Sequence, residues 1–257
     1  MHPLSQRGFS LVELSIVLVI LGLLAGGILG GQSLIRAAEL RSISVEHQRW
    51  VTASQSFRDK YFALPGDMAN ATAFWGTQVA GAACVTTASS SATTCNGDGN
   101  GRIDLSANSN EIFRFWQHLA NAGLIEGNYT GVQLTGNSRS TGAGNAPRGR
   151  INSSYWFVED GSSNDAGAAR YFQLSHGNYF MYGAWSNNNP PALRLLPPPE
   201  LWMIDTKVDD GRPARGKLIA YRHDECTTSG GDPTQLNADY LLDDNDPHCA
   251  ILYIQAF

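Results

Sequence analysis

The sequence predicts an α+β protein in which one long N-terminal helix precedes a head built on an antiparallel sheet. Three observations carry this prediction. An unbroken apolar run at residues 9–31 continues, without a proline, into an amphipathic pattern that reaches residue 63. Several short strand-like segments joined by Gly- and Asn-rich turns follow it. Two local pairs of cysteines bracket polar loops in the same part of the chain.

The apolar run, FSLVELSIVLVILGLLAGGILGG, contains Glu13 as its only ionisable side chain. At about 1.5 Å per residue, a helix of this length crosses the roughly 30 Å hydrocarbon core of a bilayer. Because a helical pattern continues directly after the run, removal as a secretory signal peptide is disfavoured. We therefore predict a transmembrane helix in contact with membrane lipid.

Beyond residue 31 the same helix becomes amphipathic. It ends near Ala63, since Leu64-Pro65-Gly66-Asp67 stops a helix and starts a turn. Residues 9–63 then span on the order of 80 Å, half embedded and half packed on the head as in a lollipop. The apolar stripe consists of Ile35, Ile43, Trp50, Phe57 and Tyr61.

The head, residues 64–257, is predicted to combine a helix at 111–124 with an antiparallel sheet. Three consecutive prolines at 197–199 predict a stiff surface connector. The predicted strands are residues 155–158, 171–174, 179–182, 217–222 and 250–255.

Charge and motif content argue against two function classes. The formal net charge is -5 and no block of Lys and Arg occurs, so a nucleic-acid partner is not expected. No GxSxG, HExxH or phosphate-binding glycine loop is present, so we do not expect an enzyme. The histidines sit in unrelated contexts and are predicted to be surface or packing residues: His47, His118, His176, His223 and His248.

The four cysteines fall into two local pairs, Cys84 with Cys95 and Cys226 with Cys249. Neither pair has the short spacing of a zinc site, so two disulfides are predicted in preference to free thiols. Disulfides imply an oxidising compartment, hence a head outside the cytoplasm.

The segment NGDGNGRID, residues 96–104, resembles the first nine positions of an EF-hand calcium loop. Position one is Asn instead of Asp, and the bidentate Glu of position twelve is missing, with Glu111 as a substitute. The alternative is a solvated Asn/Gly turn. The predicted calcium ligands are Asn96, Asp98, Asn100, Arg102 through its backbone carbonyl, Asp104 and Glu111.

Two further acidic groups were weighed against solvated turns. Asp239, Asp243, Asp244 and Asp246 lie between Cys226 and Cys249, and a solvated acidic loop is the preferred interpretation there. Asp205, Asp209 and Asp210 flank a Gly-Arg-Pro turn and are predicted to be turn and capping residues.

Residues 6–14, QRGFSLVEL, resemble the processing site of type IV prepilins and type II secretion pseudopilins. The resemblance covers about the first 35 residues, and Ser10 replaces the more usual threonine. It implies a cytoplasmic leader at residues 1–8, cleavage between Gly8 and Phe9 by the prepilin peptidase, and N-methylation of Phe9. Cleavage on the cytoplasmic side places the head in the periplasm of a bacterium, and later on a pilus or pseudopilus.

Glu13 is the predicted assembly residue. A carboxylate at the centre of a lipid-facing helix costs about 2.5 to 3.5 kcal/mol on insertion scales, so it normally has a cationic partner. Cleavage creates one, because Phe9 then carries an α-amine one turn before Glu13. In the family this glutamate is thought to pair with the terminus of a neighbouring subunit.

The function that follows is a filament subunit assembled through residues 9–31, with residues 32–63 as the exposed half of the first helix. The implied partners are copies of itself or related subunits, the peptidase, and an inner-membrane assembly platform with its ATPase. The alternative is a monomeric, membrane-anchored binding module, such as a calcium-dependent adhesin. Glu13 discriminates between the two, because Glu13→Ala should block incorporation in the first case and leave surface function intact in the second.

Overall fold

The computed structural model describes residues 10–78, 93–105, 110–133, 139, 141–161, 170–185, 194–221 and 223–257. The chain divides into two compact units, Met1–Arg41 and Ser42–Phe257. Helix α1, Leu11–Tyr61, contributes its first part to one unit and its second part to the other.

A four-stranded antiparallel sheet organises the second unit, which confirms the predicted α+β class. The strand order is β1-β2-β4-β3, so β4 lies between β2 and β3. The described part of this unit also contains four further helices. After α1 the elements are α2 (Ala71–Trp75), α3 (Glu111–Asn121), β1 (Ser154–Asp160), β2 (Asn178–Ala184), α4 (Pro198–Val208), β3 (Leu218–Tyr221), α5 (His223–Cys226) and β4 (Ala250–Tyr253).

The second part of α1 is a core element of this unit, as its apolar stripe predicts. Ile43, Trp50 and Phe57 recur every seven residues and are at most 4% exposed. The indole of Trp50 meets Trp116 of α3 edge to face, with ring centroids 5.4 Å apart. On the neighbouring turn, the His47 ring stacks on Tyr253 of β4 at 3.7 Å. Aromatic contacts of this kind make α1 part of the hydrophobic core.

Helix α1 ends at Tyr61, close to the predicted position. Phe62 has a φ of 55° while its N–H still donates to the carbonyl of Arg58 at 2.8 Å. The chain therefore leaves the helix through a left-handed residue, the geometry of a common helix C-terminus. Pro65 and Gly66, whose φ is 86°, then complete the turn.

Two predictions about the head are wrong. Residues 171–174 form no strand, because Leu174 N–H bonds back to Phe172 and Tyr171 packs its ring on Tyr221 at 4.8 Å. The prolines at 197–199 do not form a connector: Pro197 caps α4 and Pro198 opens it. Proline suits this place because its fixed φ matches the helix and its missing N–H would be unpaired there anyway.

Candidate functional site

The first turn of α1 holds Glu13 in a capping box. Its carboxylate Oε2 accepts the Ser10 N–H at 2.8 Å, and the Ser10 hydroxyl accepts the Val12 N–H at 3.2 Å. A carboxylate here also meets the positive end of the helix dipole. The Ser-x-x-Glu spacing of residues 10–13 is the sequence signal for this cap, although Glu13 was predicted only as an assembly residue. Gly8 and Phe9, the predicted cleavage residues, lie outside the described residues.

The helix surface around Glu13 is apolar and exposed. Exposure of its large side chains between residues 11 and 29 runs from 50% to 87%. The helix is long and apolar enough to cross a membrane, with a mean hydropathy of 2.5 over its most apolar window. These properties are consistent with membrane anchoring. The exposed side chains are Leu11, Val12, Leu14, Ile16, Val17, Leu18, Val19, Ile20, Leu21, Leu23, Leu24, Ile28 and Leu29.

Three carboxylates from separate segments converge beside residues 96–104, here called the acidic loop. Asp67, Asp98 and Glu111 each offer an oxygen, and these oxygens lie within 4.8 Å of one another. Asp67 comes from the turn after α1, and Glu111 opens α3. Asp67 and Glu111 are buried, whereas Asp98 is exposed. The group is thus a half-open pocket of negative charge.

Backbone amides of the acidic loop point at the two buried carboxylates. Glu111 Oε1 accepts the Asp98 N–H at 3.0 Å, and Oε2 accepts the Asp104 N–H at 3.2 Å. The two oxygens of Asp67 accept the N–H groups of Asn100 and Gly101, both at 2.9 Å. Asp67 and Glu111 therefore help to hold the loop on the head.

The two asparagines predicted as ligands form hydrogen bonds within and beside the acidic loop. Asn96 Oδ1 accepts the Thr72 N–H at 2.8 Å, at the start of α2. Asn100 Oδ1 accepts the Arg102 N–H at 2.7 Å, and its Nδ2 donates to Asp98 at 2.9 Å. These hydrogen bonds shape the turn.

Arg102 and Asp104 are two further predicted ligands. The Arg102 guanidinium lies 3.7 Å from the Asp160 carboxylate. Asp104 has one buried oxygen, Oδ1, without a hydrogen-bond partner among the described residues. Of the predicted carboxylate ligands, Asp98 and Glu111 belong to the convergent group and Asp104 does not. Asp67 completes it and was missed, because its only signal in the sequence is its place after the Pro65-Gly66 turn.

The charges of this group are held at an electrostatic cost. Burial, then Asp98 and Asp67, raises the pKa of Glu111 to about 7. Burial and then Asp98 also raise the pKa values of Asp67 and Asp104 above their ordinary value. Either a proton or a hard cation with oxygen ligands would relieve this cost. The residues that could hold a cation here are Asp67, Asp98 and Glu111.

The acidic group between Cys226 and Cys249 does not converge in the same way. Asp239 is ion-paired with Arg212. Asp244 lies 2.7 Å from the His248 imidazole. Within the described part of the chain, these carboxylates form no group of three oxygens suited to a metal.

The disulfide prediction is confirmed for Cys226 and Cys249, which join the end of α5 to the start of β4. Cys95 is also disulfide-bonded. Cys84, its predicted partner, lies outside the described residues.

One family model matches the chain, the prokaryotic N-terminal methylation motif, over residues 4–29. No curated protein and no solved structure matches it. The matched residues include the capping box of Glu13 and most of the exposed apolar surface of α1. The chain therefore carries at its N-terminus the prokaryotic N-terminal methylation motif, the hallmark of type IV pilins and pseudopilins.

Proposed function

We propose that this protein is a subunit of a type IV pilus or a type II secretion pseudopilus. The prepilin peptidase cuts between Gly8 and Phe9 and methylates Phe9, and the mature chain assembles through the apolar part of α1. The observation that carries the proposal is the methylation motif at residues 4–29, which leads into an exposed apolar helix.

Glu13 directs assembly in this proposal. Its carboxylate already accepts the backbone N–H of Ser10, one residue beyond the proposed new terminus. After cleavage the Phe9 amine lies within one turn of it and supplies the positive charge that a carboxylate in lipid requires. Exchange of that amine for the amine of a neighbouring subunit sets the axial register of the filament.

The proposal fixes the partners and the location. The subunit binds copies of itself or related pilin-like subunits, and it requires the prepilin peptidase and an inner-membrane assembly platform with its ATPase. It crosses the bacterial inner membrane once, with the head in the periplasm, before it enters the filament. A periplasmic head agrees with the Cys226–Cys249 disulfide.

Intact mass spectrometry of the protein extracted from membranes tests the maturation. We expect the mass of residues 9–257 plus one methyl group, less the hydrogens lost to disulfides. Reduction before measurement separates the methyl group from the disulfides. A chain that retains residues 1–8 in cells with an active prepilin peptidase would overturn the proposal.

A matched pair of variants tests assembly. Glu13→Ala should abolish incorporation into filaments, because the carboxylate that pairs with the terminal amine is removed. Glu39→Ala is the control, since Glu39 lies on the same helix beyond the apolar run and forms an ion pair with Arg36 at 2.9 Å. If Glu13→Ala enters filaments normally, Glu13 does not direct assembly. If the wild type enters no filament and Glu13→Ala keeps the surface function, the alternative is favoured, a monomeric membrane-anchored adhesin.

We also propose that the acidic loop binds calcium. Support comes from the convergence of Asp67, Asp98 and Glu111 within 4.8 Å and from the raised pKa of Glu111. The full EF-hand ligand set is not part of this proposal, because Asn96 and Asn100 bond backbone amides.

A further inference from the structure

A second group of three carboxylates lies at the end of α4, among residues that were predicted to serve only in a turn and in capping. Asp205, Asp209 and Asp210 each offer an oxygen, and these oxygens lie within 4.8 Å of one another. Asp205 is on the last turn of α4, and the other two begin the loop that leads to β3. Gly211, with a φ of 74°, turns the chain directly after them.

Each carboxylate is fixed by one or two hydrogen bonds from its surroundings. Asp205 Oδ2 accepts the Tyr240 hydroxyl at 2.8 Å. Asp209 Oδ2 accepts the N–H of Leu218 at 3.0 Å and that of Lys217. Asp210 Oδ1 accepts the Arg212 N–H at 2.8 Å. The three side chains are therefore held in place without a counter-charge.

A second observation points to a ligand. Asp205 is fully buried, and the Gly211 N–H lies close enough to its carboxylate to interact with it. Its other oxygen, Oδ1, is a buried atom that makes no hydrogen bond of normal geometry to a described residue. An unpaired carboxylate oxygen in the interior costs free energy, so native structures rarely contain one. Oδ1 belongs to Asp205, the buried member of the group.

No cation in the described part of the chain compensates this charge. The nearby arginines are engaged elsewhere: Arg212 pairs with Asp239, and Arg215 donates to Asn237. None of the three carboxylates takes part in an ion pair with a described residue. Burial, then Asp210 and Asp209, raises the pKa of Asp205 to about 7, in accord with a missing positive charge.

We propose that Asp205, Asp209 and Asp210 bind a hard divalent cation, with calcium as the expected ion. Three carboxylates are oxygen ligands of the kind calcium prefers, and the exposed side of Asp210 leaves room for water ligands. Calcium is expected rather than magnesium because calcium accepts a flexible set of oxygen ligands, whereas magnesium demands a near-octahedral set. The bound ion ties the C-terminal end of α4 to the start of β3 through Asp209.

Terbium luminescence tests the proposal on the full chain in detergent micelles. The indole nitrogen of Trp202 lies 3.5 Å from where a Cβ on Gly211 would be, so Trp202 is placed to sensitise a terbium ion at this turn. We expect sensitised emission that calcium displaces at much lower concentration than magnesium. If magnesium displaces terbium at the same concentration as calcium does, the cation site is supported but the preference for calcium is refuted.

Variants locate the site. Asp210→Asn keeps the fold, because Asp210 is exposed, and should weaken calcium binding at least about tenfold, since ligand charge sets affinity. Asp205→Asn retains an acceptor for Tyr240 and should weaken it as much. Asp243→Asn, in an exposed acidic position elsewhere, is the matched control and should bind as wild type.

The acidic loop is separated by a background substitution. All titrations are repeated with Asp98→Asn, which removes one carboxylate from the acidic loop. Trp202→Phe should abolish the emission while calorimetry still detects calcium. The proposal is overturned if Asp205→Asn and Asp210→Asn both bind as tightly as wild type, or if calcium does not bind in the Asp98→Asn background. Either result would mean that a proton shared with a neighbouring carboxylate, and not a cation, satisfies Asp205.

Discussion

The Gly66 N–H donates a hydrogen bond of 2.9 Å to Nδ1 of His118, 52 positions further along the chain. Because Nδ1 accepts, the proton of the neutral ring is on Nε2, which lies 3.0 Å from the Thr94 hydroxyl. The imidazole is fully buried. It thus joins the turn after α1 to helix α3 and to the segment before the acidic loop, and only its neutral form can do so.

Acid should destabilise the head through His118. Burial, then Arg114, lowers the pKa of His118 to about 3, from an ordinary value of 6.5. The unfolded chain therefore takes up the proton first as the pH falls. The stabilisation by neutral His118 is fully present above pH 6.5 and decreases by about 1.4 kcal/mol per pH unit down to about pH 3.

The measurement is a difference between the wild type and His118→Gln, obtained from urea unfolding at several pH values. The difference is needed because Glu111 and Asp205, whose pKa values are raised to about 7, stabilise the fold in acid and oppose the trend. A difference in the free energy of unfolding that stays constant from neutral pH to pH 4 would contradict the prediction.

Gly66→Ala should destabilise the head by about 2 to 4 kcal/mol, from the strained φ and the steric conflict together. A Cβ on Gly66 would lie 2.5 Å from the carbonyl oxygen of Glu111, which belongs to the backbone and cannot rotate away. Gly123→Ala is the matched control, because its φ is 72° but the space around it is open. Equal losses in the two variants, measured by chemical unfolding, would refute the steric part of the argument.

Trp50→Ala should cost about 3 to 5 kcal/mol, because a large buried side chain is replaced by a cavity. Trp50 is 4% exposed and lies against both Trp116 and Trp156. Val45→Ala, on the exposed side of the same helix, should change the stability by less than about 0.5 kcal/mol. Thermal unfolding of the two variants measures how much α1 contributes to the core. A small effect of Trp50→Ala would mean that the head folds without it.

Calcium should raise the melting temperature of the wild type, and Asp98→Asn should reduce that rise. Asp98 is the exposed member of the acidic loop group, so its substitution removes a ligand with little loss of fold. The comparison is made in an Asp210→Asn background, which removes the contribution of the cluster at the end of α4. The same calcium response in both proteins would exclude the acidic loop as a site.

The sequence was sufficient to predict elements whose side chains repeat with a regular period. The stripe of Ile43, Trp50 and Phe57 predicted α1 because every seventh position returns to one helix face. Strands β1, β2, β3 and β4 were predicted because their residues are apolar and bounded by turns. The segment 171–174 has the same composition, but its aromatic rings pack on Tyr179 and Tyr221 rather than beside a strand.

The candidate cation sites were less predictable, because they depend on contacts between distant segments. Asp67 reaches the acidic loop across more than thirty residues, and no local spacing relates the two. Asp205 was predicted to be a turn or capping residue, and only the packing of Tyr240 and the turn at Gly211 enclose it. The capping box of Glu13 was visible as a local pattern, but its membrane setting suggested a different partner.

Strand β4 follows β1, β2 and β3 in the chain, yet lies between β2 and β3 in the sheet. During synthesis, β2 and β3 therefore emerge with no partner on their facing edges, and the gap between them stays open until residues 250–253 arrive. Such edges invite wrong pairing with other chains. Cys249, next to β4, is bonded to Cys226, which follows β3 closely. Oxidation of Cys226 and Cys249 can thus guide β4 into place between β2 and β3. The compartment in which the thiols are oxidised then also determines when the sheet is completed.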